Sequence, residues 1–167
     1  MKLHQLWRTG LVRRFHTVAS APEQNNAAHQ WGVAMLLLAL HPAPSFNLLA
    51  EALVHDVGEK DGGDVPATAK WENETLAALH DDIEDAYRKE MNCIYELTDD
   101  EMWWLKCADM LELSFYVAHR LNLGDRYFIC IQHRCRDWFE QYRHSIPDPI
   151  KKEFWESCNV PKWEELV

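Results

Sequence analysis

Hydrophobic residues recur at helical spacing along almost the whole chain, and no segment alternates apolar and polar residues as a β-strand would. Helix stop signals divide this pattern. The breaker His41-Pro42-Ala43-Pro44 ends a helix predicted over residues 26–40, in which Trp31 is expected to lie in the core. Thr98 to Glu101 reads Thr-Asp-Asp-Glu, a capping box that opens a long helix ending near Gly124. We therefore predict an all-α fold, a compact single-domain helical bundle of about six to eight helices.

The other predicted elements follow from capping residues and breakers in the same way. Asn25 or Asn26 is a candidate N-cap for the helix over 26–40, and Ser45 is one for a helix that leads toward residue 54. The glycines and the proline between Gly58 and Pro66 predict a loop. We also predict one or two acidic amphipathic helices over 71–95, a helix over 126–144 and a short last helix. The stretch 126–167 is expected to pack on the bundle or to form an oligomer contact.

Charge and cysteine content exclude several classes of protein. The chain has 167 residues, and its 17 basic and 27 acidic residues give a net charge of −10, which argues against a protein that follows a nucleic-acid backbone. Its five cysteines are odd in number and form no C-x-x-C pair, as is typical of a reducing compartment. The longest apolar run is about eight residues, well short of the ~20 that span a membrane. We expect a cytoplasmic protein with neither a membrane nor a nucleic acid as partner.

Two His-Asp doublets occur in the chain, and their surroundings differ. His55-Asp56 follows the largely apolar stretch 50–54 and precedes the glycine loop. A buried imidazole beside a carboxylate is costly unless something pairs with both, and a divalent cation would do so. His80-Asp81 lies in a highly charged amphipathic segment, and we predict that it is an exposed surface pair. The first doublet is therefore the candidate metal site.

Two further residues complete a mixed set of nitrogen and oxygen ligands. His29 lies in the first turn of the apolar helix 26–40. Asp109 lies in the middle of the helix that begins at Thr98, on the same face as Leu105, Glu112 and Tyr116. Two imidazoles and two carboxylates suit Zn, Co, Mn, Fe or Ni and leave one or two positions for water. We predict that His29, His55, Asp56 and Asp109 hold one catalytic metal ion.

The order H…HD…D and the residues around it resemble the HD-domain superfamily. Residues 53–59 and 63–70, LVHDVGE and GDVPATAK, are similar to the "LLHDxxE…GDxPxPxK" signature of its 5′-deoxynucleotidase branch, which includes small phage dATP triphosphohydrolases. Residues 14–17, RFHT, and 106–112, KCADMLE, are similar to two further elements of that branch. The resemblance covers roughly residues 8–125 and implies a single HD-type domain over 1–167.

The resemblance implies roles for the residues around the metal ligands. Glu59 is expected to transfer a proton, and Asp64 to orient the nucleotide or a second cation such as Mg²⁺. Arg14 and Lys70 are the candidates to hold phosphate oxygens, and Phe15 to stack on the base. The sequence departs from the family pattern in two places. Ala28-His29-Gln30 replaces Glu-His-Ser at the first ligand, and Phe15 stands where tryptophan is common.

The activity implied by the resemblance is cleavage of the 5′ phosphoester of a deoxynucleotide. The short length and the Arg-Thr-Gly…Arg-Phe-His-Thr opening favour dATP as substrate, with deoxyadenosine and triphosphate as products. The alternative is a 5′-deoxynucleotidase that hydrolyses deoxynucleoside monophosphates. A cyclic-nucleotide hydrolase is disfavoured because Glu59 stands where that type carries lysine, and a non-catalytic nucleotide-binding module because all four ligands are present. Family members often form symmetric oligomers, so we expect a homo-oligomer, located in the host cytoplasm if the protein is phage-encoded.

Overall fold

A computed structural model describes residues 3–15, 24–65 and 73–158 of the chain, and all regular elements of these residues are helical. The α-helices are α1 (Leu3–Thr9), α2 (Asn26–Leu40), α3 (Phe46–Ala52), α4 (Glu59–Gly62), α5 (Glu74–Met91), α6 (Asp99–Asn122), α7 (Ile129–Gln141) and α8 (Asp148–Ser157). A 3-10 turn, Arg126–Phe128, precedes α7. The predicted all-α fold is confirmed.

The centre of the bundle is the contact between α2 and α6, around which the other elements are arranged. Val33 and Leu37 of α2 are fully buried, as are Cys107 and Leu111 of α6. α3, α7 and α8 cover the remaining sides of α6, and Phe139 and Phe154 of the two last helices stack with ring centroids 3.7 Å apart. The long helix α6 is therefore the element around which α2, α3, α7 and α8 pack.

The predicted helix starts are confirmed by side-chain hydrogen bonds. Asn25 caps α2 by accepting from the amide of Ala28, and Ser45 caps α3. At the start of α6 both halves of the capping box form, between Thr98 and Glu101. These caps satisfy amide groups that would otherwise lack partners in the first turn of each helix.

The structure differs from the predicted elements in two places. The predicted glycine loop contains the one-turn helix α4, which packs against α5. The predicted helix over 126–144 begins as a 3-10 turn and ends at Gln141. Of the one or two acidic amphipathic helices predicted over 71–95, the described residues form a single one, α5. Pro66, at the end of the predicted loop, lies outside the described residues.

Trp31 was predicted to lie in the core, and this is wrong: the side chain is 63% exposed. Met35 and Leu38, one and two turns further along α2, are exposed as well. The helix is apolar on most sides, but only the side with Val33 and Leu37 meets α6. Hydrophobicity alone could not tell which side would face a partner.

Within the described residues, no helix is both long enough and apolar enough to cross a membrane.

Candidate metal centre

The four predicted metal ligands come together from three parts of the fold. His29 lies in the first turn of α2, His55 and Asp56 lie in the turns that follow α3, and Asp109 lies in the middle of α6. His29 Nε2 is 3.2 Å from Asp109 Oδ1, 3.5 Å from Asp56 Oδ2 and 3.3 Å from His55 Nε2. His55 Nε2 is 3.4 Å from Asp56 Oδ1. Ligand atoms of His29, His55 and Asp109 all lie within 4.8 Å of one another, and Asp56 flanks this group with one oxygen near each imidazole.

Both imidazole rings are oriented by acceptors on their far side. His55 Nδ1 donates to the carbonyl of Ala52 at 2.8 Å. His29 Nδ1 donates to the carboxylate of Glu112. With Nδ1 held in this way, each ring turns Nε2 toward this group of ligand atoms, which is how metal-binding histidines are usually supported. This arrangement, together with the nitrogen and oxygen donors, fits a divalent transition-metal ion.

Sequence reasoning did not assign Glu112 a role. It lies three residues after Asp109, so both carboxylates project from the same side of α6. Its second oxygen, Oε1, accepts from Gln24 Nε2 at 2.7 Å, which fixes the carboxylate between Gln24 and His29. The helical spacing from Asp109 is the signal that could have identified it.

The charges of the site depend on each other because most of the groups are buried. Burial lowers the pKa of His29, but hydrogen bonds to Asp109 and Glu112 outweigh it and raise the pKa to about 9. Burial raises the pKa of Asp109, but the charges of Lys106 and His29 hold it well below its usual value. The site therefore favours a proton on His29 and a negative charge on Asp109, and a metal ion bound to Nε2 must displace that proton.

Arg14 was predicted to hold phosphate, and in the structure it pairs with a metal-ligand candidate. Its Nη1 lies 2.7 Å from Asp56 Oδ2. Burial raises the pKa of Asp56, but His55 and Arg14 together have the larger effect in the opposite direction. The pKa of Asp56 is therefore below its ordinary value, and the carboxyl group is ionised. The guanidinium therefore stands at the edge of the ligand cluster, next to the expected metal position.

Glu59, the predicted proton-transfer residue, is the first residue of α4 and is buried. Its Oε2 accepts from Asn26 Nδ2 at 2.8 Å, and the same amide group donates to the carbonyl of Asp56 at 3.1 Å. Burial and the negative charge of Asp56 raise the pKa of Glu59 to about 8. The carboxyl group can therefore carry a proton at neutral pH.

Phe15 and Asp64 meet beside Arg14. The amide of Phe15 donates to Asp64 Oδ2 at 3.2 Å, and Phe15 has φ 56°, in the left-handed region that side chains rarely adopt. Its ring stacks on Tyr116 with centroids 5.2 Å apart. Asp64 thus fixes the Phe15 backbone, a contact that the sequence did not predict. Lys70 lies outside the described residues.

The prediction that His80-Asp81 is an exposed surface pair is wrong for His80, which is buried. Its Nε2 donates to the carbonyl of Gly63 at 3.1 Å, and Nδ1 lies 2.7 Å from Glu84 Oε1. Asp81 is exposed, as predicted. Ligand atoms of His80, Asp81 and Glu84 lie within 4.8 Å of one another, and of the two ring nitrogens of His80 only Nε2 is engaged in a hydrogen bond. The charged composition of α5 concealed a contact that only tertiary packing creates.

Comparison with known proteins identifies the family. The family model described as "HD domain" matches residues 2–106, which is more than half of the chain. The chain belongs to the HD domain family. The match includes the His55-Asp56 doublet that gives the family its name, while Asp109 lies just beyond its end.

A solved structure has a fold similar to that of this HD domain. The HD phosphohydrolase DatZ of cyanophage S-2L, bound to dA and one catalytic Zn²⁺ ion, superposes with a TM-score of 0.65. The two chains are 20% identical, and the alignment covers 95% of this chain and 94% of the phage protein. None of the curated proteins has a matching sequence. The overall HD fold, including the helices after the family match, is therefore shared with the phage enzyme.

Proposed function

We propose that this HD domain is a metal-dependent phosphohydrolase that cleaves the 5′ phosphoester of deoxynucleotides, with dATP as its favoured substrate. The products would be deoxyadenosine and triphosphate. The observation that carries the proposal is the convergence of His29, His55 and Asp109, with Asp56 next to both imidazoles and Glu59 buried nearby. The similarity of fold to a phage HD phosphohydrolase that binds dA supports the choice of substrate class.

The metal ion would be held by His29, His55, Asp56 and Asp109. The Zn²⁺ ion of the phage protein makes zinc the first candidate, and the same donor set also accepts Co, Mn, Fe or Ni. When bound, such an ion polarises a phosphoryl oxygen and activates a water molecule near neutral pH. A further Mg²⁺ near Asp64 belongs to the same proposal.

The protein's own residues would supply the proton and the orientation of the substrate. Attack of water on the α-phosphorus breaks its bond to the 5′ oxygen, which must gain a proton as it leaves. Glu59 can carry that proton at neutral pH, because its pKa is raised to about 8 by burial and by Asp56. Asn26 holds one oxygen of Glu59 at 2.8 Å and so leaves the other for the substrate.

Substrate binding is assigned to the residues around Phe15. Arg14 presents a planar guanidinium at the edge of the ligand cluster, where it would contact phosphate oxygens. Phe15 would stack on the base, and Asp64, which holds its backbone, would orient the sugar. Lys70 is proposed as a second phosphate contact on the sequence resemblance alone.

Product analysis separates the favoured reaction from its main alternative, hydrolysis of deoxynucleoside monophosphates. Purified protein is incubated with Co²⁺ or Mn²⁺ and either dATP or dAMP, and the phosphate products are resolved by ion chromatography. Triphosphate released from dATP is the expected result. Inorganic phosphate as the only product from either nucleotide would overturn the triphosphohydrolase assignment and favour the 5′-deoxynucleotidase.

Two variants separate an enzyme from a module that only binds nucleotides. His55→Ala should lose the bound metal, measured by inductively coupled plasma mass spectrometry, and should lose activity with it. Glu59→Gln should keep the metal and lose about 100-fold or more in kcat, as expected for a general acid. Full activity in Glu59→Gln would contradict the proton-transfer role. Metal-dependent binding of dATP without turnover by the wild type would favour the non-catalytic module.

A homo-oligomer, dimer or larger, remains a prediction. The exposed apolar residues Trp31, Met35 and Leu38 follow one side of α2 and form a candidate contact surface. Light scattering of the wild type and of Trp31→Glu would test it, because a charge at the centre of such a contact should shift the chain to the monomer. A cytoplasmic setting, in the host for a phage-encoded protein, is part of the same proposal.

A further inference from the structure

The loop that carries Asp64 is attached to α5 by a buried histidine. His80 Nε2 donates to the carbonyl of Gly63 at 3.1 Å, and Asp64 is the next residue in the chain. Asp64 in turn accepts the amide of Phe15 at 3.2 Å. Two consecutive contacts therefore connect α5 with the residue proposed to stack on the base.

The other ring nitrogen of His80, Nδ1, lies 2.7 Å from Glu84 Oε1, one turn further along α5, but this close contact lacks hydrogen-bond geometry. Burial therefore confines the ring on that side. The side chain is only 4% exposed, so its ring has little freedom to move away from Gly63. A buried ring that donates from Nε2 and is confined by its surroundings is well suited to hold a backbone carbonyl in one place.

Two glycines allow α4 to approach α5 this closely. A Cβ atom on Gly62 would lie 3.2 Å from His80 Nε2. A Cβ atom on Gly58 would lie 2.5 Å from Cα of Glu84, so only glycine fits there. Gly58 and Gly62 are one helical turn apart, as are His80 and Glu84. The two pairs face each other, and the packing between α4 and α5 is built around them.

The metal ligands are anchored differently. The turns that carry His55 and Asp56 are fixed to α5 by Val57, which belongs to a small buried cluster with Tyr87 and Met91. Loss of the His80 ring should therefore disturb the Asp64 loop while leaving the metal ligands in place.

We propose that His80 is a positioning residue that fixes Asp64, and through it Phe15, by holding the Gly63 carbonyl against α5. The expected effect on catalysis rests on the proposed function, whereas the holding of the Gly63 carbonyl by His80 does not. Small displacements of groups that position a substrate are costly, of order 100-fold in rate for about 1 Å. We therefore expect His80→Ala to lower kcat/KM for the deoxynucleotide substrate by between about 10- and 100-fold.

The test combines backbone hydrogen exchange, metal binding and kinetics. The amide of Gly63 donates to the carbonyl of Glu59 at 2.6 Å, so its exchange rate reports whether the end of α4 is held. In His80→Ala this amide should exchange about 10-fold faster, while amides of α2 and α6 keep their wild-type rates. The dissociation constant for Zn²⁺ should stay within about twofold of wild type. His80→Gln can still donate to the Gly63 carbonyl and should recover part of both effects.

Two further variants guard against a general effect on folding. Gly62→Ala places a methyl group 3.2 Å from His80 Nε2, the atom that donates to the Gly63 carbonyl, and alanine favours the helix, so it should reproduce the exchange and kinetic effects more weakly. Asp82→Ala is the matched control, because Asp82 is exposed on the same helix. It should match the wild type in every measurement.

Several results would overturn the proposal. Unchanged exchange at Gly63 in His80→Ala would show that the ring does not hold the loop. An equal loss of Zn²⁺ affinity would show that His80 supports the whole site rather than Asp64. If the wild type hydrolyses no deoxynucleotide, the proposed function fails, and the exchange at Gly63 still decides whether His80 holds the loop.

Discussion

Glu112 holds Nδ1 of His29 and thereby turns the opposite nitrogen of the ring toward the other candidate metal ligands. The two residues come from α6 and α2, the helices that form the centre of the bundle. His29 is completely buried, so the orientation of its ring is set by this contact rather than by solvent. The central packing of the fold and the geometry of the candidate site are therefore connected through one carboxylate.

Glu112→Ala should weaken metal binding without removing any ligand. Loss of a group that orients a metal-binding histidine typically costs 10- to 100-fold in affinity, and we expect a decrease of about that size for Zn²⁺. Glu112→Gln keeps an oxygen acceptor for Nδ1 and should lose less. Competition with a chromophoric chelator measures both. Asp100→Asn, an exposed change near the start of α6, is the control and should bind Zn²⁺ like the wild type. If Asp100→Asn and Glu112→Ala bound Zn²⁺ with the same affinity, the role of Glu112 in orienting His29 would be contradicted.

Metal affinity should increase with pH. The pKa of His29 is raised to about 9 by Asp109 and Glu112, which outweigh burial, so below that pH the metal must displace a proton from Nε2. Each pH unit below about 9 therefore weakens the apparent affinity by about tenfold, and the dependence should level off as pH passes through 9. Calorimetry in buffers of different ionisation enthalpy would count the released proton. An affinity for Zn²⁺ that does not change between pH 6.5 and pH 8.5 would contradict displacement of a proton from His29.

Two adjacent asparagines at the start of α2 should separate catalysis from stability. Asn26 donates to Glu59 at 2.8 Å, whereas Asn25 caps the helix by accepting from the amide of Ala28 at 3.0 Å. Asn26→Ala leaves a buried acceptor without its donor and should lower kcat by about 10-fold or more. Asn25→Ala should cost about 1 kcal/mol of unfolding free energy and leave kcat close to wild type. Denaturant titrations and steady-state kinetics measure both quantities, and a reversed pattern would refute the role of Asn26.

The cysteines should react in two distinct classes. Cys130 is exposed, and the other four are buried. Burial raises the pKa of Cys107 to about 12 and that of Cys135 to about 11, so their reactive thiolate forms are scarce at pH 8. One of the five thiols should react quickly with a coloured disulfide reagent in the native protein, and all five in guanidinium chloride. Cys130→Ser should abolish the fast phase, and several fast thiols in the native state would contradict the described packing.

The sequence by itself determined the local elements and which residues are candidate metal ligands. The cap at Asn25 and the capping box from Thr98 to Glu101 are short-range hydrogen bonds between neighbouring residues, so they could be predicted from the residues alone. The choice of His29 and Asp109 also needed no coordinates, because a histidine and a carboxylate on apolar helix faces require partners. The all-α fold follows from the same helical periodicity.

The tertiary structure decided which face of each helix is buried and which is exposed. Trp31 is exposed and His80 is buried, both against the sequence prediction, because each depends on which neighbour packs against one side of a helix. The two contacts that orient the site, Glu112 to His29 and His80 to the Gly63 carbonyl, join residues 83 and 17 positions apart. Such pairs leave no periodic pattern in a single sequence, since only the packing of helices brings them together.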